Sequence, residues 1–182
     1  MIKITLFGEA NSGKTNALRC LTYLLNPSYL FPRKKDFEVL VNYQTSGRQK
    51  RIVICTGGDE PMDVRNNWDF YQKYCDEKFV DVFISPCHPN DKTREMEEFC
   101  IHLHCAPRSS SKHQQMMDFI FWIHNTTLAN IVQTQNISPQ EIQAFDNAHV
   151  FVAKQGTRLT DNQKKEAIAI AKAIKQQIDK LI

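Results

Sequence analysis

Residues 8–15 read GEANSGKT, and this stretch decides how the rest of the chain is interpreted. It matches the pattern G-x-x-x-x-G-K-[ST] without a mismatch. The preceding residues 2–7, IKITLF, are typical of a short buried strand. The following residues 16–25, NALRCLTYLL, have the apolar spacing of an amphipathic helix. A strand, a glycine-rich loop and a helix in this order predict a loop that holds phosphate groups.

Each fixed position of the pattern has a physical reason. Gly8 and Gly13 allow the backbone to wrap tightly, so that main-chain N–H groups point inward at phosphate oxygens. The helix that follows adds the positive end of its dipole. Lys14 is expected to reach the outer phosphates, and the Thr15 hydroxyl is expected to bind Mg²⁺. The alternative is a helix cap without a ligand. The predicted nucleotide contacts in this stretch are Gly8, Asn11, Ser12, Gly13, Lys14, Thr15 and Asn16.

Composition limits the class of protein. The 182 residues suffice for one domain, and 42% hydrophobic with 24% charged residues is ordinary for a globular protein. A formal net charge of +3 gives no strong sign of nucleic-acid binding. Because the sequence shows neither a signal-peptide layout nor an apolar run of about 20 residues, we expect a cytoplasmic protein with no membrane contact. The six cysteines are then expected as free thiols or small buried side chains.

Strand-like and helix-like segments alternate along the whole chain. Residues 37–43 and 51–55 are predicted strands joined by too few residues for a helical crossover, so they should pair as an antiparallel hairpin. Further strands are predicted at residues 79–84, 119–123 and 150–153. Helices are predicted at residues 16–25, 60–78 and 92–105, after the SPQE capping box at residues 138–141, and after Thr160. This order predicts a single α/β domain, a three-layer α/β/α sandwich with a mostly parallel sheet of about six strands.

With this loop and this order of elements, the chain resembles the P-loop nucleoside triphosphatase superfamily, and its layout is similar to that of Ras-like GTPases. The resemblance implies a nucleoside triphosphate, ATP or GTP, as the ligand and Mg²⁺ as the metal. It also implies hydrolysis of the nucleotide. Residues 28–36 would be a switch-like loop, in which Arg33 is a candidate to stabilise charge on the transferring phosphoryl group.

The chain departs from the Ras-like pattern after the hairpin. Those proteins carry an aspartate, two residues and a glycine at this point. Here Gly58 matches the glycine, while Cys55 takes the place of the aspartate. We expect Asp59 to act instead, by holding Mg²⁺ through water or by orienting the attacking water. The alternative is an acidic residue that only begins a helix ahead of Pro61.

The base-recognition pattern of the same family is incomplete. The asparagine-lysine-x-aspartate motif corresponds to HNTT at residues 124–127, so Asn125 is present and the guanine-binding carboxylate is missing. Residues 151–154, FVAK, are similar to the serine-alanine-lysine turn of those proteins. The choice between adenine and guanine therefore stays open. Residues 100–105, CIHLHC, contain metal-binding residue types, but helical spacing directs Cys100 and His104 away from His102, so no zinc site is expected.

Three functions are compatible with these residues. The first is a nucleotide-dependent switch or triphosphatase, with Lys14, Asp59 and Arg33 in the reaction, Thr15 and Asp59 at the metal, and a protein partner contacting residues 28–36 and 57–66. The second is a small-molecule or nucleotide kinase with residues 106–115, APRSSSKHQQ, as its lid. The third is a nucleotide-binding module without efficient hydrolysis.

Overall fold

A computed structural model describes residues 2–7, 11–31, 38–45, 47–56, 80–87, 117–122, 136–153 and 157–182. The predicted helices at residues 60–78 and 92–105 lie outside these ranges. Strands and helices alternate within them, which confirms the α/β class. In chain order the elements are β1 (Ile2–Phe7), α1 (Lys14–Leu25), β2 (Glu38–Thr45), β3 (Arg48–Cys55), β4 (Val82–Cys87), β5 (Met117–Trp122), α2 (Pro139–Asn147) and α3 (Asp161–Leu181).

The five described strands form one sheet in the order β2-β3-β4-β1-β5. β2 pairs with β3 antiparallel, and the other three pairings are parallel. This confirms the mostly parallel sheet with one antiparallel strand from an early hairpin. β1 lies between β4 and β5, so the glycine-rich loop leaves from the interior of the sheet, and β4 separates β1 from the hairpin.

Several element boundaries differ from the prediction. Both hairpin strands are longer than predicted, because β2 extends to Thr45 and β3 begins at Arg48. The turn between them is therefore much shorter than expected. It contains Gly47, whose φ is 82°. The pairing of polar residues 44 and 45 with residues 49 and 48 extends a ladder that the apolar pattern does not reveal. β4 begins and ends three residues later than the predicted strand at residues 79–84, and it continues through Pro86.

The strand predicted at residues 150–153 is wrong, because this segment is not part of the sheet. Its backbone groups bond to side chains of α1 instead of a neighbouring strand. Arg19 donates to the carbonyl of Val150, and Asn16 bonds both the N–H and the carbonyl of Val152. Side chains therefore satisfy the polar groups that a strand ladder would otherwise satisfy.

The apolar core lies between one face of the sheet and the three described helices. Alternate residues of the strands, such as Ile4 and Ile84, point into it because parallel neighbours share a face. α1 and α3 pack against each other over this face, and α2 closes one side. Each fully buried isoleucine or leucine contributes about 1.5–3 kcal/mol relative to an exposed one. The helical residues in this core include Ala17, Leu18, Leu21, Ile142, Phe145, Ile168, Ile174 and Ile178.

Residues on the opposite face of the sheet are buried as well. Val53 of β3 and Phe83 of β4 are adjacent in the ladder and fully buried. Thr5 of β1 and Ser85 of β4 form the next buried pair toward the carboxyl ends of the strands. Both faces are therefore shielded from water at the centre of the sheet.

The helix ends follow from local sequence. Ser138 accepts a hydrogen bond from the N–H of Glu141 at 3.2 Å, ahead of Pro139 in the first turn, so α2 begins where SPQE predicts. Thr160 and Gln163 form a reciprocal capping box at the start of α3, also as predicted. α1 ends at Leu25, before Asn26, and it begins at Lys14, two residues earlier than expected.

Two further expectations concern membranes and cysteines. No helix within the described ranges is long and apolar enough to cross a membrane.

Cys20 and Cys55 are buried free thiols, in agreement with the expectation for the cysteines. Burial in the apolar interior raises the pKa of the Cys20 thiol, although the nearby Arg19 opposes the shift.

Candidate phosphate-binding site

The loop between β1 and α1 adopts left-handed backbone angles at two positions. Asn11 has a φ of 64° and Gly13 has a φ of 92°. A residue with a Cβ is strained in this region, which explains the glycine at position 13. A Cβ built on Gly13 would meet no atom within 4 Å, so open space lies beside this turn. Gly8, with residues 9 and 10, lies outside the described residues.

Gly13 is also the N-terminal cap of α1 and has no side chain with which to cap it. The first hydrogen bond inside the helix runs from the N–H of Ala17 to the carbonyl of Gly13, at 2.9 Å. The amides of Lys14, Thr15 and Asn16 thus precede the helical ladder, as the first amides of every α-helix do. Together with the positive end of the helix dipole, they favour an anion at this end.

Lys14 is the cation of the loop, and it is buried. The residue is only 3% exposed, and its Nζ lies 3.5 Å from the hydroxyl oxygen of Ser12. The ammonium group therefore lies against the loop instead of extending into solvent. The contact brings together two predicted residues, Ser12 and Lys14, on either side of Gly13 in the chain.

Thr15 connects the start of α1 to the end of β3. Its hydroxyl donates a hydrogen bond to the backbone carbonyl of the buried Thr56, at 3.1 Å. A hydroxyl that donates its proton keeps its oxygen lone pairs for a further interaction, including a cation. The contact also brings residue 56, two positions before the predicted Gly58 and three before Asp59 in the sequence, to the start of α1.

Asn16 has a structural role that the sequence does not reveal. Its Nδ2 donates to the carbonyl of Val152 at 3.0 Å, and its Oδ1 accepts from the N–H of Val152 at 2.8 Å. The side chain thus fastens α1 to residues 150–153. Only the backbone N–H of Asn16 belongs to the amides that face the loop.

Arg19, about one turn further along α1, also connects this helix to the segment around residue 150. It is 1% exposed, and it donates through Nε to the carbonyl of Val150 and through Nη2 to the carbonyl of His149 at 3.0 Å. Its guanidinium carbon lies 4.7 Å from the centre of the Phe31 ring. Burial lowers the pKa of Arg19 to about 10, so the side chain remains charged at neutral pH.

One feature of the sequence indicates that Asn16 and Arg19 contact another segment of the chain. Asn16 and Arg19 are three residues apart on a predicted helix, so they share a face. Arg19 also stands among the apolar residues Leu18 and Cys20 that the same helix buries. A cation inside such an apolar set requires hydrogen-bond acceptors, and backbone carbonyls supply them here.

The remaining predicted site residues lie outside the described residues: Arg33, Gly58, Asp59 and Asn125. The same holds for Cys100, His102 and His104, at which no zinc site is expected. Within the described ranges, no group of three or more His, Cys, Asp and Glu side chains is arranged to hold a metal ion. Thr15 is therefore the predicted metal-binding residue whose surroundings the structure describes.

Comparison with known proteins adds no assignment. No protein-family model matches the chain, and neither the curated proteins nor the solved structures contain a match.

Proposed function

We propose that this chain binds a nucleoside triphosphate with Mg²⁺ at its phosphate loop, hydrolyses it, and acts as a small nucleotide-dependent switch. The observation that carries the proposal is the combination at the start of α1. Asn11 and Gly13 have left-handed backbone angles, open space lies beside Gly13, three backbone amides precede the helical ladder, and the Lys14 ammonium lies against the loop. A chain of phosphates is the anion that such a site suits.

Each described residue of the loop has a role in this proposal. The backbone N–H groups of residues 14–16 would bind phosphate oxygens, and Lys14 would neutralise the outer phosphates as a point charge. The donor set fits Mg²⁺, because the Thr15 hydroxyl is held by Thr56 with its lone pairs still available. The bound ion would neutralise charge that develops on the phosphates during hydrolysis.

The further predicted residues remain part of the proposal. Asp59 would supply the acidic group at the metal or at the attacking water, Arg33 would stabilise the transferring phosphoryl group, and Gly58 and Asn125 would contact the nucleotide. The Thr15–Thr56 hydrogen bond supports the role of Asp59, because it brings the chain to the site three residues before that carboxylate. The base, adenine or guanine, is left to experiment.

A protein partner at residues 28–36 and 57–66 is also proposed. Leu30 supports it, because this leucine is 90% exposed between the half-buried Tyr29 and Phe31. We further propose a single three-layer domain in the cytoplasm. The burial of Val53 and Phe83 on the face of the sheet opposite α1 supports the third layer.

Binding of fluorescent ATP and GTP analogues with Mg²⁺ tests the proposal. We expect Lys14→Ala to weaken binding at least about tenfold, because it removes charge-assisted hydrogen bonds to phosphate. Lys180→Ala is the matched control, since Lys180 is exposed near the far end of α3. A folding midpoint for each variant separates lost binding from lost structure. Unchanged affinity in a folded Lys14→Ala variant would refute the proposal.

Phosphate release then separates hydrolysis from the other two functions. Release of phosphate from ATP or GTP in the absence of any acceptor would support the triphosphatase function. Phosphorylation of an added nucleoside or metabolite would indicate a kinase, and tight binding without turnover would indicate a nucleotide-binding module.

A further inference from the structure

A groove of about 790 Å³ is lined in part by Phe151 and Ala153, and no residue of α1 is among its described lining residues. Its lining comes from the end of α2, from Phe151 and Ala153, and from the residues that lead into α3. The lining includes the charged residues Asp146, Arg158 and Lys164 and the apolar residues Phe151, Ala153 and Leu159. None of them belongs to the phosphate loop.

The backbone of residues 150–152, beside this groove, has one edge occupied. The carbonyl of Val150 and the N–H and carbonyl of Val152 all bond to α1. Successive residues of an extended chain direct their backbone groups to opposite edges, so those of Phe151 and Ala153 point the other way. Among the described residues, the N–H and carbonyl of Phe151 and the N–H of Ala153 make no hydrogen bond.

Such an edge is a template for another extended chain. Unpaired N–H and carbonyl groups on a strand-like segment recruit a peptide backbone, which supplies affinity through main-chain hydrogen bonds. The side-chain pockets beside the edge then supply specificity. Here Phe151 and Ala153, whose backbone groups form this edge, also line the groove, and together with Leu159 they give it apolar surface.

The charges of the groove indicate which peptide it suits. The carboxylate of Asp146 is already paired with the Lys164 ammonium at 2.7 Å, and this ammonium also lies 5.6 Å from the centre of the Phe151 ring. Arg158 is exposed and makes no ion pair with any residue that the structure describes. Among the residues that the structure describes, Arg158 is therefore the cation of this groove without an ion-pair partner, and it lies in the lining with the apolar Phe151, Ala153 and Leu159.

We propose that this groove binds an extended acidic peptide segment of a partner protein, paired with the backbone of Phe151 and Ala153 and with a carboxylate at Arg158. The proposal does not depend on nucleotide binding, because no residue of the phosphate loop takes part. It assigns to the chain a second interaction surface, opposite the fastened edge of residues 150–152.

The full chain, labelled with ¹⁵N, is titrated with the peptide acetyl-Val-Glu-Val-Glu-Val-amide. We expect shifts of the Phe151 and Ala153 amide resonances and at least about tenfold slower hydrogen exchange of both amides at saturation. The counterpart acetyl-Val-Lys-Val-Lys-Val-amide should produce neither effect. Millimolar peptide without any shift overturns the proposal, as do shifts without slower exchange.

A charge-reversal variant of Arg158 provides a second test of peptide binding. Arg158→Glu should weaken binding of the acidic peptide by about tenfold or more, and it should favour the lysine peptide. Lys180→Glu makes the same change on α3 about 30 Å away and should leave affinity within twofold. Equal affinity of the wild type and Arg158→Glu overturns the proposal. Shifts of the same amides by benzoate but not by the peptide would show a small-molecule site instead and would also overturn it.

Discussion

Asn16 and Val152 are joined by two reciprocal hydrogen bonds, 3.0 Å from Nδ2 to the carbonyl oxygen and 2.8 Å from the backbone nitrogen to Oδ1. One amide side chain therefore replaces the strand that would otherwise pair with this residue. Because Asn16 lies in the first turn of α1, the pair fixes the end of the helix that follows the glycine-rich loop. Arg19 repeats the arrangement at Val150 and His149.

The first prediction concerns Asn16→Ala. The substitution leaves the backbone N–H and carbonyl of Val152 without their partner, so we expect the free energy of unfolding to fall by about 1–2 kcal/mol. Urea denaturation measures this change. Faster hydrogen exchange of the Val152 amide would locate the effect at residues 150–153.

Two further variants control this prediction. Asn16→Asp retains the acceptor for the Val152 N–H but repels the Val152 carbonyl, so its stability should also fall while the Val152 amide keeps more of its protection than in Asn16→Ala. Asn42→Ala removes an exposed asparagine from β2 and should change stability by less than about 0.5 kcal/mol. If the Asn16→Ala and Asn42→Ala variants have the same free energy of unfolding, the hydrogen bonds between Asn16 and Val152 make no net contribution to stability.

The second prediction concerns Arg19→Met. Methionine keeps an unbranched apolar stem but supplies no donor, so the carbonyls of His149 and Val150 lose a charged partner. We expect the free energy of unfolding to fall by about 1.5–3 kcal/mol, the range for hydrogen bonds to charged groups. The unfolding midpoint in urea measures it, with Arg48→Met on the exposed end of β3 as the control.

Arg19 also holds the Phe31 ring, so the same variant has a second expected effect. Loss of the guanidinium removes the cation below the ring at 4.7 Å, and Phe31 ring resonances should shift. A variant with wild-type stability and unchanged Phe31 resonances would contradict the role assigned to Arg19.

The sequence predicts the central part of this fold because local and long-range signals agree there. IKITLF, the glycine loop and the helix up to Leu25 are each specified by their own residues. The capping residues Ser138 and Thr160 likewise fix helix starts through bonds within one turn. Local chemistry of this kind needs no knowledge of the tertiary structure.

The failures occur where partners are distant in sequence. Residues 150–153 have an apolar strand pattern, yet Asn16 and Arg19, more than 130 positions away, take their backbone groups. The hairpin ladder through Gln44 and Thr45 is polar, so periodicity gives no sign of it. The position of β4 between β3 and β1 also depends on pairing that no local pattern records.

The candidate site divides in the same way. The motif spacing predicts Gly13, Lys14 and Thr15 as phosphate-binding residues, because that spacing is typical of one loop geometry, and their role stays a prediction. The bond from Thr15 to Thr56, and the fastening by Asn16, could not be predicted, because each depends on where another segment lies in space.

The third prediction compares two glycines with positive φ. Gly13 and Gly47 have φ of 92° and 82°, and a Cβ on either would meet no atom within 4 Å. Alanine at either position should therefore lower the free energy of unfolding by a similar amount, about 1–2 kcal/mol of backbone strain. Thermal or urea unfolding of the two variants measures this.

The Gly13→Ala and Gly47→Ala variants should differ in nucleotide binding. Gly13→Ala places a methyl group in the open space of the phosphate loop, so we expect it to abolish measurable binding of ATP and GTP analogues. Gly47→Ala lies in the β2–β3 turn and should bind as the wild type does. Equal binding by both variants would show that nucleotide does not occupy the space beside Gly13.

The last prediction concerns the Thr15 hydroxyl and Mg²⁺. Thr15→Val keeps the shape of the side chain but removes the oxygen, whereas Thr15→Ser keeps it, together with the donor to Thr56. Calorimetric affinities for a triphosphate, measured with Mg²⁺ and with a chelator, should differ at least about tenfold in the wild type and in Thr15→Ser. In Thr15→Val the difference should disappear, because the protein oxygen that binds the metal is absent. A Mg²⁺ effect that survives in Thr15→Val would place the ion on other residues.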